Sequence, residues 1–170
     1  MHDLETKLKA RGVSNTDRIV EFQASYGGQV QYNGLNRWVW GVIHESPSEM
    51  EPNELEVLDP EGPEELPLVQ CVDADPQDAI FLDPNGQIYD CCACLLYGSF
   101  EAMFKVEEIL KGYAFDYQNW REIKDKEVSV LDESVGIDEF QDSVVTLRRW
   151  GEYIVKIEQS QIIGLYRRTE

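Results

Sequence analysis

The hydrophobic pattern of the chain changes its period partway along, and this change restricts the possible folds more than any other feature. Near the N-terminus, Ile19, Phe22 and Tyr26 recur at spacings of three and four residues, which is the period of an amphipathic helix. Gly27-Gly28 ends this segment, since glycine readily adopts the left-handed conformation that closes helices. Residues 37–43 are aromatic and β-branched, as strands are. The chain therefore has to combine helices with strands.

Similar patterns along the rest of the chain predict further elements. Helices are predicted over 3–11, about 15–26, 99–112 and 115–124, and strands over 37–43, 68–72, 79–82, 87 to about 96, 144–147, 153–157 and 162–166. Residues 45–67 contain five prolines and many glutamates and are expected to form a loop. Asp83-Pro84-Asn85-Gly86 is a strong turn signal, because proline fixes φ and Asn-Gly tolerates positive φ. The strands on either side are expected to pair as an antiparallel hairpin.

Charge is distributed unevenly along the chain. The sequence has 33 acidic residues and 15 lysines and arginines, which gives a formal net charge of −18. No lysine or arginine occurs between Arg37 and Lys105, a stretch that holds fifteen aspartates and glutamates. A strongly negative field repels nucleic acid and anionic membranes and accelerates association with a basic partner. Acidity also improves solubility without any partner, and this alternative stays open.

The sequence lacks the motifs of several functional classes. It has two histidines, His2 and His44, and no G-x-S-x-G, Walker or G-x-G-x-x-G motif, so we predict no catalytic residues and no cofactor. Asp73-Ala74-Asp75 with Asp78 lacks the glycine and the terminal glutamate of a calcium loop. No stretch reaches the ~18 to 20 apolar residues that a membrane span needs, and the charged N-terminus does not resemble a secretory signal. We expect a cytoplasmic protein.

The chain has four cysteines, three of them clustered: Cys71, Cys91, Cys92 and Cys94. Small secreted scaffolds spread their cysteines along the chain, so this clustering favours reduced thiols. A zinc site would need paired C-x₂-C motifs or histidine partners, whereas the spacing here is C-C-x-C. We expect the cysteines to be buried as small apolar residues, with Tyr89, Cys91 and Ala93 on one strand face. A cysteine-based metal-binding protein is an alternative.

Three passages, taken in order, resemble the SUKH superfamily, which includes bacterial toxin-immunity proteins and a related fungal cell-wall synthesis regulator. Residues 19–28 (IVEFQASYGG) resemble the family's second helix with its glycine turn, residues 80–89 (IFLDPNGQIY) its central hairpin, and residues 99–110 (SFEAMFKVEEIL) its closing helix. The likeness covers about residues 3–112 of a single domain spanning 1–170, and residues 113–170 are a β-rich C-terminal extension. The resemblance implies an α+β fold in which helices flank a curved antiparallel sheet. It also implies no catalytic residues, because the bacterial members resemble stoichiometric inhibitors.

We therefore expect an immunity protein that binds and blocks a basic toxin, such as a nuclease domain, through an acidic surface that imitates phosphate charge. The predicted contacts are the acids of the 45–65 loop and the 73–78 turn, with two tryptophans that share a strand face: Glu49, Glu51, Glu54, Glu56, Asp59, Glu61, Glu64, Glu65, Asp73, Asp75, Asp78, Trp38 and Trp40. Such tryptophans are more often core residues, but an exposed one would anchor a partner. The main alternative is an intracellular regulatory adaptor of the same fold, acting in cell-wall or signalling regulation.

Overall fold

The computed structural model describes residues 2–33, 36–43, 55–58, 66–73, 79–124, 137–159 and 161–169. Within them the helices are α1 (His2–Ala10), α2 (Asp17–Tyr26), α3 (Phe100–Leu110) and α4 (Tyr117–Ile123). The strands are β1 (Val30–Asn33), β2 (Asn36–Trp40), β3 (Val57–Leu58), β4 (Leu68–Asp73), β5 (Ile80–Leu82), β6 (Ile88–Tyr89), β7 (Leu95–Tyr97), β8 (Tyr113–Phe115), β9 (Ile137–Gln141), β10 (Val145–Trp150), β11 (Tyr153–Glu158) and β12 (Gln161–Arg168). Helices and two antiparallel sheets make this an α+β fold. The chain divides into two compact units, Met1–Phe100 and Glu101–Glu170.

The sheet of the first unit is built around strand β4. Its strand order is β1-β2-β4-β5-β6-β7, and β3 pairs with β4 outside this path. Strand β5 occupies one edge of β4, where Val69 lies opposite Leu82. Strands β2 and β3 therefore share the other edge, with β2 at the Asp73 end and β3 at the Leu68 end.

The first two helices each bury one side. Leu4 and Leu8 of α1 and Ile19 and Phe22 of α2 are buried, and spacings of three and four residues place each pair on one helix face. The Phe22 ring meets the Phe100 ring edge to face, with centroids 5.5 Å apart. These apolar contacts explain why the helical period of the N-terminal sequence is realised in the fold.

The sheet of the second unit has the order β8-β12-β11-β10-β9. Four buried side chains form a core on one of its faces, and Trp120 and Ile123 of α4 pack against it: Val155, Ile157, Ile162 and Leu165. Asp116 caps α4 by accepting a hydrogen bond from the Asn119 amide at 3.1 Å. Hydrogen bonds from the Asn119 side chain and amide lower the pKa of Asp116.

Most of the predicted elements are confirmed, including the β5–β6 hairpin, the Asp116 cap and the C-terminal meander. The strand predicted from 87 to about 96 is wrong, because the chain turns between β6 and β7. The 45–67 loop contains a short strand, β3, that pairs with β4. Strands β1, β8 and β9 were not predicted. The prediction of one domain with an extension from residue 113 stays a prediction.

Candidate functional site

Three acidic segments of the base-free stretch are attached to the first sheet around one strand. Residues 44–54 lie between β2 and β3, residues 59–65 between β3 and β4, and residues 74–78 between β4 and β5. Strands β2, β3 and β5 all pair with β4. The fold thus brings the attachment points of all three segments to β4 and its direct neighbours.

Backbone hydrogen bonds fix where these segments leave the sheet. The Gly41 amide donates to the Cys71 carbonyl over 2.9 Å, and the Gln70 amide donates to the Glu56 carbonyl over 3.0 Å. Residues 44–54 therefore leave and return beside the middle of β4. The other two segments join the ends of this six-residue strand, which are about 17 Å apart at ~3.4 Å per residue. All attachment points fit within one protein interface, which covers about 800 Å² per partner and is roughly 30 Å across.

The side chain of Gln23, on α2, holds the backbone just before residues 44–54. Its Oε1 accepts hydrogen bonds from the Val42 amide at 2.7 Å and the Ile43 amide at 3.1 Å, and its Nε2 donates to the Ile43 carbonyl at 2.7 Å. The Gln23 side chain thus makes the backbone hydrogen bonds with Val42 and Ile43 that a neighbouring strand would otherwise make. Gly41 has φ +135° and permits the approach, because a Cβ there would lie 3.2 Å from Gln23 Oε1. Residues 42 and 43, the last described residues before the acidic segment, are thereby fixed to helix α2.

The two predicted tryptophans lie beside each other on β2, with ring centroids 6.1 Å apart. Trp40 is 2% exposed, so its assignment as a partner contact is corrected: its ring belongs to the core. Trp38 is half-buried. Its indole Nε1 is buried and has no hydrogen-bond acceptor in the part of the chain that the structure describes. Of the two tryptophans, Trp38 alone keeps a surface that a partner can touch.

The structure describes two of the predicted acidic contacts. Glu56 is exposed just before β3, and the backbone of Asp73 pairs with that of Val39. The others lie outside the described residues: Glu49, Glu51, Glu54, Asp59, Glu61, Glu64, Glu65, Asp75 and Asp78. His44, which sequence reasoning weighed as a catalytic base, also lies outside them.

One acid of the base-free stretch has a structural role. Asp83 is 1% exposed, and its Oδ1 accepts hydrogen bonds from the amides of Asn85 at 2.9 Å and Gln87 at 2.8 Å. Gly86 completes the turn with φ +89°. Burial, together with the charge and hydrogen bonding of Asp83, raises the pKa of Tyr89. The Asp83 carboxylate is thus occupied by the turn and is not presented to a ligand.

The chain between β6 and β7 forms a tight turn organised by Asp90. Its Oδ1 accepts hydrogen bonds from the amides of Cys92 and Cys94, each at 2.8 Å. The Ala93 amide donates to the Asp90 carbonyl at 3.1 Å, and Ala93 has φ +59°. A three-residue loop whose last residue is left-handed is a common hairpin connection. Here the Asp90 side chain binds amides that a continuous strand would use for pairing.

The position of this turn corrects the prediction for the clustered cysteines. Cys91, Cys92 and Cys94 are exposed, so the expectation that they are buried, and that Cys91 and Ala93 lie on a strand face with Tyr89, is wrong. Cys71 is buried as expected. Its burial raises the pKa of its thiol well above the usual range.

An aromatic cluster in the second unit was not predicted as a surface feature. Phe115 and Tyr117 are 45% and 59% exposed, and the Phe115 ring lies 5.4 Å from that of Trp120 and 5.5 Å from that of Tyr166. The sequence signal is the density of aromatic residues between 113 and 120. Exposed aromatic rings are enriched in protein interfaces.

Three remaining features of the part of the chain that the structure describes concern metal binding, membrane spanning and cavities. Among the described residues, no three His, Cys, Asp or Glu side chains are arranged to hold a metal ion. In the same residues, no helix is long and apolar enough to cross a membrane. An open cavity of about 290 Å³ in the second unit is lined by eight residues, none of them histidine or cysteine: Gln141, Asp142, Ser143, Val144, Thr146, Arg148, Ile157 and Gln159.

No protein-family model, no curated protein and no solved structure matches the chain.

Proposed function

We propose that this protein is a non-enzymatic immunity protein with a SUKH-like fold, which binds and blocks a basic, nuclease-type toxin through the acidic segments around β4. The observation that carries the proposal is the attachment of three base-free acidic segments to one strand and its neighbours. Residues 44–56, 59–65 and 73–78 contain twelve acids and no lysine or arginine. A surface with this composition is complementary to a phosphate-binding active site.

The physical consequence is a concentrated negative field. At physiological ionic strength the Debye length is about 8 Å, so each acidic segment acts mainly on the partner charges that come close to it. The attachment points around β4 span about 17 Å, which places all of them within the area that one partner covers. Electrostatic steering raises association rate constants from about 10⁵–10⁶ to as much as 10⁸–10⁹ M⁻¹s⁻¹. Rapid capture of a toxin is what an inhibitor inside the producing cell requires.

The SUKH-like part of the proposal is supported by the elements formed by the three resembling passages. Residues 19–28 contain most of α2 and its glycine turn, residues 80–89 contain β5, the Asp83 turn and β6, and residues 99–110 contain α3. Their order and type agree with the helix, hairpin and closing helix that the resemblance implies. Within the second passage, Oδ1 of the buried Asp83 accepts hydrogen bonds from two turn amides, so this carboxylate stabilises the hairpin.

The proposal is tested by a pull-down from the native cell with three tagged baits, each at low and high salt. The baits are the natural sequence, a variant with four acids of the 49–56 region neutralised (E49Q, E51Q, E54Q and E56Q), and a control with four exposed acids of the second unit neutralised (E101Q, E107Q, E108Q and E122Q). Both variants change the net charge equally. We expect the natural sequence and the control to retain one basic protein at low salt, and the 49–56 variant to lose most of it.

A growth assay then tests whether the protein confers immunity. Co-expression of the natural sequence should protect cells from the captured protein, and the 49–56 variant should protect less. Equal retention by all three baits would contradict the acidic surface. Capture of a signalling or cell-wall protein without any toxin would contradict immunity and would support the adaptor of the same fold.

A further inference from the structure

One side of helix α4 carries aromatic and basic side chains together. Tyr117, Trp120, Arg121 and Lys124 follow one another as positions i, i+3, i+4 and i+7, which lie on one helix face. The guanidinium carbon of Arg121 lies 5.8 Å from the centroid of the Tyr117 ring, and Lys124 Nζ lies 5.3 Å from that of Trp120. The Phe115 ring, 5.4 Å from Trp120, extends this face. These five residues are here called the α4 patch.

We propose that the α4 patch binds an acidic, proline-containing peptide segment, supplied by residues 45–54 of a second copy of this chain. The proposal does not depend on the immunity function, because its argument starts from the α4 patch. Its test contains no toxin, so either proposal can fail while the other stands.

The apolar part of the α4 patch is well exposed to solvent. Phe115 and Tyr117 are the two aromatic residues among the exposed large hydrophobic side chains of the described chain, at 45% and 59%. Their rings lie 6.4 Å apart, and the Tyr117 ring lies 5.7 Å from that of Trp120. Isolated exposed apolar residues are ordinary, whereas a contiguous exposed cluster marks an interaction site. Aromatic residues and arginine are also the commonest anchors of protein interfaces.

The basic part of the α4 patch determines the sign of the partner's charge. Arg121 and Lys124 are exposed, and within the described residues they lie against aromatic rings and form no ion pair. Other exposed bases are paired with carboxylates, as Lys9 is with Glu5. The two bases of the α4 patch thus keep their charge available, and an acidic partner is complementary to them.

The acids closest to these bases in the sequence are placed elsewhere. The Asp116 carboxylate accepts hydrogen bonds from the Asn119 amide at 3.1 Å and from its side chain at 2.8 Å. Glu122 is one position beyond Arg121, and successive residues of a helix are turned by about 100° around its axis. Glu122 therefore belongs to another side of α4, and the α4 patch itself is positive.

Residues 45–54 combine the two properties that the α4 patch recognises. They contain four glutamates, Pro47 and Pro52, and no lysine or arginine. Proline-rich segments bind to aromatic-lined surfaces because proline restricts the backbone beforehand, so less entropy is lost on binding. The repulsion between two acidic copies is largely screened beyond about 8 Å at physiological ionic strength. The contacts at the α4 patch then decide whether the copies associate.

The first test measures the fluorescence anisotropy of a labelled synthetic peptide of residues 45–54 as full-length protein is added. R121Q with K124Q should weaken binding by roughly 2- to 30-fold, since two exposed ion pairs are lost. The control K7Q with K9Q changes the net charge equally and should bind like the natural sequence. Tyr117→Ala should weaken binding by more than about 5-fold, as the truncation of an interface anchor does. Its control, Leu95→Ala, shortens another exposed apolar side chain and should have no effect.

Two altered peptides and the full-length protein complete the test. A peptide with glutamine for its four glutamates and a peptide with alanine for its two prolines should each bind more weakly than the natural one. Sedimentation velocity should show self-association of the full-length protein that increases with concentration and is reduced by R121Q with K124Q.

The opposite outcomes would overturn the proposal. These are no binding of the natural peptide, equal affinities of the patch variants and their controls, or equal affinities of the natural and altered peptides. A full-length protein that stays monomeric at every concentration would exclude the second copy as the occupant. Circular dichroism checks that each variant is folded.

Discussion

Replacing Gln23 by alanine removes the contact that holds the backbone of Val42 and Ile43, just before residues 44–54. The substitution deletes three hydrogen bonds, and a net hydrogen bond contributes about 0.5–1.5 kcal/mol. The Val42 amide is left without its acceptor at a residue that is 1% exposed, where an unpaired donor costs about 1–3 kcal/mol. Ile43 is half-buried, so water can replace part of the hydrogen bonding that its amide and carbonyl lose. We expect Gln23→Ala to lower the free energy of unfolding by about 2–4 kcal/mol.

Urea unfolding followed by tryptophan fluorescence measures this loss, since Trp38 and Trp40 lie in the same unit. With a denaturant dependence of about 2 kcal/mol/M, the midpoint should fall by roughly 1–2 M. The matched control is Gln29→Ala, which removes one exposed hydrogen bond to the Ser25 carbonyl and should change stability by less than about 0.5 kcal/mol. Equal effects of the two substitutions would refute the reasoning.

Three further predictions follow from the hairpin and its turns. Ala93→Gly should raise the free energy of unfolding by about 0.5–1 kcal/mol in urea titrations, since φ +59° strains alanine and glycine adopts it freely; a loss of stability would contradict the turn. Alkylation of the native protein should modify the three exposed thiols first and Cys71 only on unfolding, because Cys71 is buried; four equal rates would refute this. The pKa of Tyr89 is raised in the folded state, so its stabilising contribution is complete below the pKa of an unfolded tyrosine and is lost as pH rises through the folded value. Tyr89→Phe should reduce the alkaline loss of stability seen by circular dichroism, and an unchanged profile would exclude the effect.

Local signals account for the elements that the sequence predicted well. The Asp83-Pro84-Asn85-Gly86 turn depends on the φ preferences of its own residues, and its Asp83 side chain closes it from within. The Asp116 cap is similarly local, with its partner three residues away. Such elements are readable because the residues that make them are neighbours in the chain.

Elements that depend on distant partners were missed or misplaced. Strand β3 is two residues long and lies in a proline-rich segment, and it exists because β4 offers an unpaired edge. The residues of β1 after Val30 are polar, and only their pairing with β2 makes them a strand. The apolar cysteines that follow β6 favour a continued strand, and the sequence pattern does not show that Asp90 forms a turn there. The hydrogen bonds of Asp90 decided otherwise.

The candidate site also combines features that the local sequence predicts with features that depend on the fold. The acidic composition of residues 45–78 is visible in the sequence, but its attachment to one strand is a property of the sheet topology. The burial of Trp40 and the partial exposure of Trp38 also follow from packing, since alternation along β2 gives both residues the same face and cannot rank them. The contact between Gln23 and Ile43 joins residues about twenty positions apart, and no local sequence pattern predicts it.

The most direct test of the central claim is the association rate of the captured basic protein as a function of salt concentration. Stopped-flow measurements compare the natural sequence, the variant with residues 49, 51, 54 and 56 neutralised, and the control neutralised at 101, 107, 108 and 122. The acidic surface around β4 predicts a rate constant that falls steeply with salt for the natural sequence and the control. It predicts a slower and much less salt-dependent association for the 49–56 variant. Equal salt dependence of the two variants would contradict the claim that the acidic segments around β4 contact the partner.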